Sequence, residues 1–116
     1  MLPRQVPAKI AMEAALTGAA ITADQALRWG LVNRVVPAGS VLDVAVQLAE
    51  VIGAHAPLAV AASKRLVTAA VGARSDWDAA VWELNAATFA EVVASDDAAE
   101  GARAFAEKRA PRWTGR

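Results

Sequence analysis

Between residues 76 and 94 the sequence places apolar side chains on two stripes of one long helix. Trp77, Val81, Leu84 and Thr88 form the first, and Trp82, Ala86, Phe89 and Val93 the second. Positions three and four apart share a helix face. A helix apolar on one stripe packs against one neighbour, so apolar character on two stripes predicts neighbours on more than one side. Few small chains meet that demand internally, and composition sharpens the point. Hydrophobic residues make up 56% of the 116 residues, and much of that fraction is alanine. Alanine favours helix but buries little area, so a self-contained core would be thin. Two destinations stay open for the surplus: a compact Ala-rich helical domain, or a surface meant for something outside this chain.

Caps and breakers divide the chain into six helical segments and one short strand. Pro7 suits the first turn of a helix running from Ala8 to about Leu16 and stopping near Gly18. Thr22 and Gln25 have capping-box spacing, and Gly30 falls where a left-handed residue would end that short helix. Leu31 to Val36 reads as a brief extended strand halted by Pro37. Ser40 caps a helix carrying Leu42, Val46, Ala49 and Ile52 on one stripe, and His55-Ala56-Pro57 breaks it. Pro57 opens a helix to about Ala70, Asp76 opens the two-striped helix, and Ser95 caps a last helix closing before Pro111.

Net charge is +0, which leaves no electrostatic case for nucleic acid. With no cysteine and a single histidine, disulfides, thiolate chemistry and a metal site are not expected. No run approaches the ~20 apolar residues of a membrane span. The opening residues lack the pattern of a signal peptide, so a cytoplasmic location is expected.

No credible catalytic set emerges. His55 stands at a helix C-terminus, where the dipole favours it. Asp24, Asp43, Asp76, Asp78, Asp96 and Asp97 fall in first turns, where the same dipole explains them. Glu100 and Glu107 are expected to be solvent-exposed or paired with Arg103 and Lys108, Glu107 with Arg103 at (i, i+4) spacing. Binding residues are better supplied. Phe89 lies late in the long helix, and Phe105 and Lys108 are three apart in the last one, on one face. An adenine ring can pack on phenylalanine while the ammonium meets phosphate. Two core rings and a charge favoured by the helix terminus explain the same residues.

Leu2-Pro3-Arg4, Leu16-Thr17-Gly18, Gly30-Leu31-Val32, Ser95-Asp96-Asp97, Glu100-Gly101 and Ala104-Phe105-Ala106-Glu107-Lys108-Arg109 together resemble the crotonase superfamily, whose commonest member is enoyl-CoA hydratase. The resemblance covers nearly the whole chain, and its blocks follow the family's order. It departs at Pro7, where many members carry glycine. It implies a mainly α chain forming the C-terminal helical, trimerising region of an α/β spiral fold whose N-terminal spiral is missing. Residues 1–36 would end the spiral core, and residues 37–116 would form the oligomerisation region. It further implies an acyl-CoA substrate, no permanently bound cofactor, and a homo-oligomer, a trimer or dimer of trimers. The family's oxyanion hole and two glutamates belong ahead of Leu2-Pro3-Arg4, so no residue here inherits a catalytic role, and this chain alone is expected to be inactive. Position by position, the resemblance makes Phe89, Phe105 and Lys108 the coenzyme A contacts, within a subunit or across an interface. Arg4 and Arg109 also match, with structural pairing as their reading. Hydration of 2-enoyl-CoA is the leading activity for a complete member. Enoyl-CoA isomerisation is the alternative within the family, and a non-catalytic helical oligomerisation or binding module the alternative outside it.

Overall fold

The computed structural model describes residues 2–73, 75 and 77–116. Asp76, expected to open the fifth helix, lies outside the described residues. Among the described residues a 3-10 turn at Leu2–Arg4 precedes six α-helices: α1 (Ala8–Thr17), α2 (Ala23–Arg28), α3 (Val41–Gly53), α4 (Pro57–Gly72), α5 (Ala79–Val93) and α6 (Asp96–Ala106). The chain divides into two compact units, Met1–Ala45 and Val46–Arg116.

In the first unit, the core consists of Val6, Ala11 and Ala26. Pro7 stands at the N-cap of α1 rather than inside its first turn. Thr22 and Gln25 form the full capping box: Gln25 N donates to Thr22 Oγ1 at 3.2 Å and Thr22 N to Gln25 Oε1 at 2.9 Å. At the other end of α2, Gly30 takes φ 76°. Its N–H donates to Leu27 O at 3.1 Å, and Leu31 N donates to Ala26 O at 2.8 Å. That pair of bonds is a Schellman motif, for which glycine is the natural left-handed residue.

The strand expected at Leu31–Val36 does not form, and no strand occurs among the described residues. Leu31 and Val32 spend their N–H groups on Ala26 O, closing α2, and no second strand lies alongside to pair with the rest. An extended segment becomes a strand only when a ladder partner is present.

The second unit packs α4 on α5, and α5 on α6. Arg65 ties the first pair together, its Nη2 donating to Thr88 Oγ1 at 3.2 Å and to Glu91 Oε2 at 2.9 Å. Thr88 is buried, so the first stripe of α5 turns towards α4 as its spacing requires. On the second stripe Trp82, Phe89 and Val93 are exposed. Trp77 precedes the helix and is exposed as well. The buried positions of this unit are small or polar: Ala62, Ala104, Thr88 and Asp97. No single helix is long and apolar enough to cross a membrane among the described residues.

Candidate coenzyme-binding end of the last helix

Ser95 begins α6 as expected, its Oγ accepting from Ala98 N at 3.1 Å. One acid then does more than its first-turn position implied, and a second is paired as expected but with more partners. Asp97 is not a solvated first-turn anion but a buried one, 2% exposed. One oxygen accepts from Thr114 N (2.6 Å) and Thr114 Oγ1 (3.1 Å), and the other from Gly115 N (3.0 Å). Asp97 N in turn donates to Arg116 O at 3.1 Å. These bonds fold residues 109–116 back along α6. The backbone N–H of Thr114 is the main influence holding the Asp97 carboxyl below its ordinary pKa, against the opposing effect of burial.

Glu100 is the second hub. Arg109 grips it with two parallel bonds, Nη1 to Oε1 at 2.6 Å and Nη2 to Oε2 at 3.1 Å. Arg112 N adds a bond to Oε1 at 2.8 Å, and Arg103 Nε lies 3.4 Å from Oε2. The guanidinium of Arg109 first, and the N–H of Arg112 second, hold Glu100 down to about 2. Arg109 also donates from Nε to Glu107 Oε2 at 2.6 Å, and the two carboxylates hold its guanidinium above its usual pKa. The expected Glu107–Arg103 pair is therefore replaced: Arg103 turns to Glu100 and Glu107 to Arg109. Structural pairing is indeed the role of Arg109.

Trp113 completes the tail. Its indole N–H donates to Ala54 O at 2.8 Å, at the 110° bend between α3 and α4. The ring lies over Gly101, where a β-carbon would stand 3.3 Å from the six-membered ring.

Helix α6 ends earlier than its spacing suggested, so Lys108 follows the helix instead of sharing the Phe105 face. Lys108 has φ 52°. Lys108 N donates to Phe105 O at 3.3 Å and Arg109 N to Ala104 O at 3.1 Å, repeating the Schellman pattern of α2 with lysine in place of glycine. A residue with a β-carbon costs roughly 1–2 kcal/mol in that conformation. The Lys108 ammonium has no ion-pair partner among the described residues. Phe105, joined to it by the capping bond, is 88% exposed. A bare phenyl ring and an uncommitted cation thus share one helix end.

Phe89 occupies a different surface. It is 66% exposed and borders a small groove of about 150 Å³ between α4 and α5, with Ala59, Ala62, Ser63 and Leu66 opposite. A larger apolar groove of about 350 Å³ runs along the same helix pair, lined by Leu66, Val67, Ala70, Val81, Trp82 and Asn85. Among the described residues no cluster of acids and histidine is arranged to hold a metal ion.

Sequence reasoning missed the partners of Asp97 and Trp113, and the Arg109 partner of Glu100, because these lie 9 to 59 residues away, beyond any helical period. The Glu100 and Arg109 side chains were each visible; only the reversal of the chain after α6 joins them.

The sequence model of the enoyl-CoA hydratase/isomerase family matches residues 1–116. This chain belongs to that family. It is similar to the carnitinyl-CoA dehydratase of Proteus mirabilis strain HI4320, with 41% identity over 116 residues, 99% of this chain and 44% of that protein. Among solved structures, the enoyl-CoA hydratase of Mycobacterium tuberculosis H37Rv superimposes with a TM-score of 0.90 at 46% identity, over 99% of this chain and 44% of that one. The Bacillus anthracis enoyl-CoA hydratase gives the same TM-score at 30% identity, over 99% and 43%. The chain therefore spans less than half the length of the relatives it matches. It is a mainly α, C-terminal portion of the crotonase-type fold, in a family of acyl-CoA enzymes.

Proposed function

We propose that the protein to which this chain contributes acts on acyl-CoA thioesters, adding water across the double bond of a 2-enoyl-CoA, and that Phe105 and Lys108 receive the nucleotide end of coenzyme A. The observation carrying this reading is that one helix end carries both the exposed Phe105 and Lys108, whose ammonium has no ion-pair partner among the described residues. Adenine has a face for the ring, and the ribose phosphate has charge for the lysine. Hydration is favoured over isomerisation because the relatives are named as a dehydratase and as hydratases. Phe89 is assigned a coenzyme contact only across a subunit interface, since its groove lies between α4 and α5.

A homo-oligomer, a trimer or dimer of trimers, is the second part of the proposal. It is supported by Val41, Leu42, Val51 and Ile52 on α3 and by Phe89 and Val93 on α5, all exposed. A helical oligomerisation module without chemistry rests on the same exposed side chains, but it leaves Phe105 and Lys108 unexplained.

The test is calorimetric titration of coenzyme A, together with hydration of crotonyl-CoA by the complete enzyme. Lys108→Ala is expected to weaken coenzyme A binding roughly five- to tenfold. In turnover it should raise KM with little change in kcat, the mark of binding shared by ground and transition states. Unchanged affinity and KM would remove Lys108 from the site.

A further inference from the structure

We propose that Glu100 is a positioning residue for Lys108, holding it in place through Arg109 and Glu107; this rests on the coenzyme A reading of Lys108 given above. The Schellman motifs that end α2 and α6 supply the contrast. At the end of α2, Gly30 enters the left-handed region freely. At the end of α6, Lys108 occupies the same position with a β-carbon that disfavours it. Strain of this kind persists where surrounding contacts over-determine the conformation, and such places cluster at ligand sites.

Two contacts supply that constraint. Glu107 and Arg109, the immediate neighbours of Lys108, bond to each other at 2.6 Å. Continuing the helix through 108 would set residues 107 and 109 on different sides and break this bond. Glu100 then grips Arg109 from within α6 by the paired bonds at 2.6 and 3.1 Å. Extending the chain at 108 would draw Arg109 off that carboxylate. Each alternative backbone is opposed by one contact, and the left-handed one satisfies both.

The same pairs keep the lysine available. Glu100 is taken up by Arg103, Arg109 and the N–H of Arg112, and Glu107 by Arg109. The carboxylates near the helix end are already committed to arginines, which leaves the Lys108 ammonium for an incoming phosphate.

The experiment pairs the NMR three-bond coupling between the α proton of residue 108 and the carbonyl carbon of residue 107, which is large only when φ is positive, with calorimetric titration of coenzyme A. Glu100→Ala and Glu107→Ala should both lose the left-handed signature and bind coenzyme A roughly three- to tenfold more weakly. Lys108→Asn, which tolerates the left-handed position, should keep the signature and lose the affinity. A purely structural Glu100 would lower thermal stability but leave affinity and the signature at 108 unmoved, which would overturn the inference. If Glu100→Ala loses its helical circular dichroism, Glu107→Ala decides alone, since it cuts only the contact across residue 108. Unchanged affinity in Lys108→Ala would instead refute the coenzyme A reading, and this inference with it.

Discussion

Helices α3 and α6 are close in length and opposite in how they are held. α3 runs thirteen residues with none buried, and its Leu42 is 73% exposed. α6 runs eleven residues, buries Asp97 and Ala104, and is strapped by the chain that follows it. An apolar helix is thus left bare while a polar one is fastened. Hydrophobicity alone does not decide what a helix packs against within one chain. α6 is secured by directed hydrogen bonds that its own tail supplies, and α3 carries its apolar surface outward, as a surface destined for another partner does.

The sharpest way to break this contrast is to remove the carboxylate beneath the strap. Asp97→Ala leaves Thr114 and Gly115 N–H groups without their acceptor, and the thermal midpoint should fall by roughly 10 °C. Trp113 fluorescence should shift to the red as the indole leaves Ala54. An unchanged midpoint would mean that the strap contributes nothing to the fold.

Acid should act on the same region more gradually. The folded-state pKa of Glu100 is depressed to about 2 from an ordinary 4.5, and Asp97 is depressed as well. Depressed carboxylates contribute stability above their unfolded pKa and lose it as pH falls through the folded value. Stability should therefore hold above about pH 4.5 and decline towards pH 2, with Glu100→Gln flattening the slope. A flat profile between those limits would show that neither acid is coupled to folding.

The smallest effect on stability is expected from α3. Leu42→Glu should change the free energy of chemical unfolding by no more than about 0.5 kcal/mol, because the side chain is already in solvent. It should nonetheless lower the mass seen by light scattering if α3 joins subunits. A large loss of stability without any change in assembly would show that α3 is buried within its own chain.

The local parts of this fold were legible. Thr22 with Gln25, Ser95, Pro57, Gly18 and Gly30 each mark a helix boundary by chemistry confined to a few residues, and each marks it in the structure. Legibility failed where the outcome depended on what came alongside. Leu31–Val36 has strand composition but no ladder partner, and Asp97 looks like any first-turn aspartate until Thr114 returns to meet it. Of the candidate site, spacing named Phe105 and Lys108 together but placed them on one helical face, whereas α6 ends before Lys108. The early end of α6 is set by the Glu100–Arg109–Glu107 contacts, which no helical period encodes.

Gly101 and Trp113 impose an order on change. The indole lies so close over the glycine that even a methyl group at 101 would crowd it, and its bond to Ala54 prevents it from simply backing away. A lineage drifting at these two positions has one easy path: the tryptophan must shrink before the glycine can grow. Taken in the reverse sequence, the same two substitutions pass through an intermediate whose indole must shift by a few tenths of an ångström against its bond to Ala54.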